Sequence, residues 1–311
     1  MRFLMFRQGP GRRLGVLAEG RPETVVDLVE LAAATGSEPP PPDLLALIDA
    51  GDKGLTAIRD LVGKLKPPGA APLTRKVSDL EVLAPLDPPR GNVIAIGLNY
   101  AKHASETARL AGTGAQPPTV FTKAMTSIAG PYDDIPIDRA VSDQMDWEVE
   151  LGVVIGRTGL NITRDEALDH VFGYTVINDV SARDIQSGWG GQFFKGKSLD
   201  FTCPSGPWVV TRDEVADPQA LDLRLTVNGV VKQEASTAGM IHPVSSIIAW
   251  VSVGMTLPAG TLIATGTPEG VGFARTPPEF IQVGDVVEAE VRGVGKLRNK
   301  FVAAEKTRRA P

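Results

Sequence analysis

Residues 146–156 read DWEVELGVVIG and residues 174–186 read YTVINDVSARDIQ. Both are β-branched and apolar runs interrupted by acids, and their reading decides the fold. In a strand, side chains alternate, so Asp146, Glu148 and Glu150 share one face and Trp147, Val149 and Leu151 the other. The apolar continuation carries this strand into a core. Carboxylates two residues apart on one face repel, and protonation, basic partners or a bound cation relieve that repulsion. An acidic face turned to solvent fits the local sequence equally well. Asp179 ends the second run, with Arg183, Asp184 and Gln186 just beyond it. It is placed to join the carboxylate pair from a neighbouring strand, although a surface Arg-Asp network has the same spacing. Three oxygen ligands without His or thiolate would select a hard cation such as Mg²⁺, Mn²⁺ or Ca²⁺.

Outward from these runs, the chain beyond residue 91 is a series of short strand patterns separated by Gly and Pro: NVIAIGL, TVFTK, GPWVVT, LRLTVNGVVKQ, TLIATG and VVEAEVRGVGKLRNKFV. Asn228-Gly229 between alternating runs predicts a type I′ hairpin. Thr163 and Glu166 have capping-box spacing and predict a helix over ALDHVFG. Strands and long helices do not alternate regularly, which disfavours a doubly wound sheet. Before residue 91 come strands MRFLMF and LGVLAEG, an apolar segment VVDLVELAAA, the linker EPPPPD at 38–43, and helices after Asp43 and Gly54. Pro-rich stretches at 66–72 and 85–91 follow. The expected fold class is α+β, with a small N-terminal α+β domain over 1–85 and a strand-rich domain over 86–311.

At 311 residues, with 42% apolar and 22% charged residues, the chain has the composition of a soluble globular protein. Its net charge of −5 is uneven: +4 on residues 1–13 and +5 on residues 296–311 leave −14 on the rest. The basic ends are short and lack interleaved aromatics, so no nucleic-acid partner is expected. Cys203, the only cysteine, excludes an intrachain disulfide and reads as a packed thiol in a reducing compartment. The apolar run Phe3–Phe6 is too short for a secretory signal, and a cytoplasmic location is expected. Residues 235–268 carry no charge, but Pro243, Gly254, Pro258 and Gly260 break them into a short helix near His242–Ser252 and a strand near Thr261–Ala264. No membrane span is expected.

Only three histidines occur, which argues against a His-rich zinc site. His170 and His242 read as structural. In GLNYAKHASE, Glu106 lies three residues after His103, where a helical turn brings the side chains together. A carboxylate there orients the imidazole to activate water, though an incidental pair at a helix start is favoured on spacing alone. Lys195 and Lys197 sit in the Gly-rich GQFFKGKSLDFTCPSGP, and IATGTPEGVG ends a strand in a turn whose N–H groups suit a carboxylate or oxyanion. No GxSxG, HExxH or paired CxxC is present.

In this order, GLNYAKHASE, DWEVELGVVIG, YTVINDVSARDIQ, FFKGKS, VNGVVKQ and LIATGTPEGVG closely resemble the catalytic domain of the fumarylacetoacetate hydrolase superfamily over about residues 91–301. The resemblance implies a mixed β-roll, a homodimer, and a divalent metal, Mg²⁺ or Mn²⁺ with Ca²⁺ conceivable in crystals, held by Glu148, Glu150 and Asp179. It implies a His103–Glu106 pair that activates water, Lys197 stabilising an enolate, and Arg183, Gln186, Lys123 and Thr267 near the substrate. Ala108–Pro118 would form a lid. Asn99 stands where fumarylacetoacetate hydrolases proper carry an aspartate, which implies three acidic ligands and a different substrate. The expected activity is hydrolysis of a C–C bond in a 2,4-dioxo acid, an acylpyruvate, giving pyruvate and a carboxylic acid. The alternatives are an oxaloacetate decarboxylase or tautomerase, a hydroxymuconate-type isomerase, or a non-catalytic metal-containing binding protein.

Overall fold

A computed structural model describes residues 1–65, 73–106 and 116–305. The N-terminal strands Arg2–Gln8, Gly11–Ala18 and Arg21–Asp27 form an antiparallel meander. The apolar segment after them divides at Asp27, whose buried carboxylate accepts from the N–H groups of Val29 (2.9 Å) and Glu30 (3.2 Å) and so ends the strand and caps helix Leu28–Thr35. Asp43 caps the next helix, accepting from Ala46 N–H at 2.8 Å. The two helices expected here form one element, Leu44–Gly63, broken at Gly51, three residues before the expected Gly54. Gly51 has φ 59° and ψ −147°, a conformation that only glycine adopts without strain. The Pro-rich stretch 66–72 lies outside the described residues.

The central structure is a sheet of 12 strands. Its main path runs Thr74–Lys76, Arg21–Asp27, Gly11–Ala18, Arg2–Gln8, Cys203–Thr211, Val171–Asn178, Val149–Ile155, Leu262–Ala264, Val93–Gly97 and Thr119–Lys123. The N-terminal meander therefore joins the later strands directly, with Arg2 opposite Val210 and Phe3 opposite Val209. A second sheet of five strands is ordered Val230–Ser236, Asp222–Val227, Val286–Val291, Gly295–Ala303 and Ile135–Ile137. Parallel and antiparallel pairs are mixed, helices are few, and neither sheet closes on itself, so the strand-rich α+β expectation holds. Val149–Ile155 is buried along its whole length, which is why its sequence is nearly continuous apolar rather than alternating. Val227 and Val230 pair across Asn228-Gly229, and the φ values of 51° and 79° there are those of the predicted type I′ turn.

One expected helix is absent. Ala167–His170 makes a single 3₁₀ turn, because the Thr163 hydroxyl donates to Glu166 Oε2 (2.7 Å) and strand Val171–Asn178 starts at once. The uncharged stretch is helix Val244–Val251 followed by strand Leu262–Ala264, and both contribute to the cores. Among the described residues no helix is long and apolar enough to cross a membrane.

Candidate metal and active site

Strand Val149–Ile155 pairs with Val171–Asn178, placing Glu150 opposite Ile177 and Val149 opposite Asn178. Just ahead of it, Glu148 N–H donates to Asn178 Oδ1 (3.0 Å) and Glu148 C=O accepts from Asp179 N–H (2.9 Å). These bonds bring Glu148, Glu150 and Asp179 together with their ligand oxygens within 4.8 Å of one another, all three buried. A solvent-facing acidic strand is thereby excluded. Asp146 diverges from the shared face that the spacing predicts, because it belongs to a separate short pair, Met145–Asp146 with Ser181–Ala182.

Cations surround two of the three acids. Lys197 Nζ lies 2.8 Å from Glu148 Oε2 and 2.7 Å from Asp179 Oδ2. Arg183 Nη2 is 2.7 Å from Glu148 Oε1, and Lys123 Nζ is 2.7 Å from Asp179 Oδ1. Burial alone would raise the Glu148 carboxyl, but Lys197 and Arg183 hold it below its ordinary value. Burial would likewise lower the Lys197 ammonium, yet Asp179 and Glu148 keep it above its ordinary value. Glu150 instead accepts from Gly266 N–H (2.7 Å), and burial together with Asp179 and Glu148 pushes its carboxyl well up. A buried cluster with one undercompensated carboxylate and oxygen-only donors fits a hard divalent cation, held by Glu148, Glu150 and Asp179.

His103 enters from helix Ala101–Glu106, with Nδ1 2.8 Å from Glu106 Oε1. Gly270 N–H donates to both Glu106 oxygens (3.1 and 2.9 Å), fastening that helix to the turn after strand Leu262–Ala264. A cleft brings His103 together with Glu148, Lys197, Arg183, Gln186 and Thr267, with Phe121, Phe193 and Phe273 as an aromatic wall. Thr267 donates its hydroxyl to Val149 C=O (3.0 Å), so it braces the strand while lining the cleft.

Lys123, expected near substrate, is placed against the acid cluster. It is fully buried, paired with Asp179 at 2.7 Å and donating to Val180 C=O (3.2 Å). Asn99 uses its carboxamide to clamp the backbone, accepting from His242 N–H (2.7 Å) and donating to the C=O of His242 and Thr265. His170 is tied to Arg157, 13 residues earlier, donating to its C=O (2.8 Å) and accepting from its Nη2 (3.0 Å). Cys203 is a buried thiol that burial pushes up to about 12. Residues 108–115 of the expected lid lie outside the described residues.

Sequence reasoning gave no role to Gln233. Its Oε1 accepts from Val149 N–H (3.0 Å), and its Nε2 donates to Thr267 (2.8 Å) and Pro268 C=O (2.9 Å), joining two site segments. Its only signal was membership of VNGVVKQ.

Residues 92–302 match the family of the fumarylacetoacetate (FAA) hydrolase C-terminal region, and the chain is a member of it. Among curated relatives, oxaloacetate tautomerase YisK of Bacillus subtilis is 40% identical over 263 residues, 84% of this chain and 87% of that protein. The mitochondrial oxaloacetate tautomerase FAHD2A of Bos taurus is 39% identical over 307 residues, 97% of this chain and 92% of that protein. Among solved structures, fumarylacetoacetate hydrolase from Exiguobacterium antarcticum superposes with a TM-score of 0.81 at 38% identity, covering 98% of this chain and 100% of that one. Maleylpyruvate hydrolase from Sphingobium sp. SYK-6, solved with manganese(II) and pyruvate, gives 0.75 at 29% identity over 98% and 100% of the two chains.

Proposed function

We propose that this protein is a divalent-metal-dependent enzyme that interconverts the keto and enol forms of a small 2-keto diacid of the oxaloacetate type. The observation that carries this reading is the name shared by two curated relatives, both oxaloacetate tautomerases, that match 84% and 97% of the chain. Acylpyruvate hydrolysis, the first expectation from the sequence, takes second place. It is favoured by the retained His103–Glu106 pair and by the maleylpyruvate hydrolase neighbour. Both reactions develop negative charge on a keto-acid oxygen, and fold alone does not choose between them.

A cation held by Glu148, Glu150 and Asp179 would supply Lewis-acid polarisation of the keto-acid oxygens. With Nδ1 of His103 donating to Glu106, Nε2 is the basic nitrogen and takes the proton from the carbon beside the keto group. The electron pair of that C–H bond moves to the keto oxygen. Lys197, kept protonated by Asp179 and Glu148, sets positive charge at the cleft beside the developing enolate. Return of a proton to oxygen gives the enol, and the reverse path gives the ketone.

The test follows the ultraviolet absorbance of enol-oxaloacetate as it ketonises, using purified protein stripped with chelator and restored with Mg²⁺ or Mn²⁺. An acylpyruvate is run in parallel with assay of released pyruvate. Metal-restored ketonisation without acylpyruvate cleavage supports the tautomerase. Pyruvate release from the acylpyruvate, with no acceleration of ketonisation, overturns it in favour of the hydrolase.

A further inference from the structure

Asp146 completes the acidic pattern in sequence and then stays out of the acid cluster. Its carboxylate is wholly buried and takes four donors: the N–H groups of Trp147 (2.8 Å), Gly272 (2.7 Å) and Phe273 (3.0 Å), and Arg183 Nε (2.8 Å). Three segments thus meet on one side chain, namely the Met145–Asp146 strand, the start of helix Arg183–Gly188 and the turn at 272–273. The approach is close enough that a Cβ on Gly272 would fall 2.6 Å from Asp146 Oδ1 and 2.1 Å from Glu279 C=O.

Arg183 is held by hydrogen bonds at two of its nitrogens and by an ion pair at the third. Nε goes to Asp146, Nη2 to Glu148 Oε1 (2.7 Å) and Nη1 to Gln186 Oε1 (3.0 Å), while the guanidinium lies 4.4 Å from the centre of the Phe273 ring. One guanidinium therefore serves two carboxylates, only one of which belongs to the acid cluster.

We propose that Asp146 is a positioning residue that holds Arg183 in this shared geometry, so that Glu148 keeps an oxygen turned to the acid cluster and Arg183 keeps its face to the cleft. Without the Asp146 charge, the guanidinium is free to turn its fork onto Glu148, because planar bidentate pairing is the preferred Arg–carboxylate geometry. Glu148 is then less able to bind a cation, and the cleft loses a fixed donor. This rests on reading Glu148, Glu150 and Asp179 as a metal site.

The experiment titrates Mn²⁺ into the full-length, chelator-stripped protein by calorimetry or electron paramagnetic resonance, without substrate. Wild type is measured first, and its failure to bind Mn²⁺ sinks the metal reading itself. Given wild-type binding, D146N is expected to weaken Mn²⁺ affinity about tenfold. In an R183Q background the same change is expected to have less than about threefold effect, because Asp146 acts through Arg183. D146N that melts like wild type and binds Mn²⁺ equally well overturns the proposal, as does an equal loss in both backgrounds. If D146N alone fails to fold, the stranded Arg183 is the expected cause, and D146N/R183Q, with both charges gone, recovers a folded protein. A double variant that still fails to fold shows that Asp146 serves the fold independently of Arg183 and overturns the assignment.

Discussion

Glu150 carries the least compensated charge in the acid cluster. Glu148 and Asp179 each face two cations, whereas among the described residues Glu150 forms no ion pair and accepts from Gly266 N–H. Its raised carboxyl marks a group whose ionised form is unfavourable until a cation arrives. E150Q should therefore leave the melting temperature of metal-free protein unchanged or higher. It should abolish the rise that Mn²⁺ gives wild type, which linkage puts at about 2.7 kcal/mol when free metal is 100 times its Kd. Differential scanning calorimetry with and without Mn²⁺ reads both. His103 makes a sharper demand on chemistry alone. H103A should lower turnover by roughly 100- to 10,000-fold, the usual worth of a general base, with Mn²⁺ affinity retained. A matching loss of Mn²⁺ binding would mean that the imidazole helps hold the metal instead.

At the scale of elements, sequence reading works where the signal is local. The β-branched runs around 93–97, 119–123 and 149–155 are strands, and Asn228-Gly229 is the turn its chemistry demands. It fails where a side chain chooses between local and distant partners. Thr163 and Glu166 have the spacing of a cap but bond each other, and Gly51 rather than Gly54 takes the backbone break. The acid cluster was largely legible: strand periodicity put Glu148 and Glu150 on one face and Asp179 at the end of a neighbouring strand, but it also put Asp146 on that face and gave no sign that Lys123 pairs with Asp179. Gln233, 84 residues from the Val149 N–H it accepts from, had no signal beyond its place in VNGVVKQ. Asp27 shows how much one local residue can decide, since it ends a strand and starts a helix. D27A should cost about 1 kcal/mol or somewhat more in urea unfolding, the usual loss of a cap, without changing Mn²⁺ affinity.

For the whole molecule, the weight falls on the first 85 residues. Pro-rich punctuation near residue 85 suggests a boundary, yet the strand Arg2–Gln8 pairs with Cys203–Thr211, the neighbour of Val171–Asn178, whose end carries Asp179. One hydrophobic core joins Phe3, Leu28, Leu44 and Ile58 to Val154, Phe172 and Val209, and the Phe3 and Phe172 rings lie 6.2 Å apart. Removing residues 1–85 would bare the edge of strand Cys203–Thr211 and strip one side of that core, both of which promote association with other chains. A fragment of residues 86–311 should therefore aggregate or bind a hydrophobic dye, and should lose Mn²⁺ affinity along with cooperative melting. Adding residues 1–85 as a separate chain should recover part of both, because the missing strand supplies its own hydrogen bonds. If instead the fragment alone melts cooperatively and binds Mn²⁺ as tightly as the full chain, the pairing of Phe3 with Val209 contributes little. Residues 86–311 would then be an autonomous domain that merely carries the N-terminal sheet at its edge.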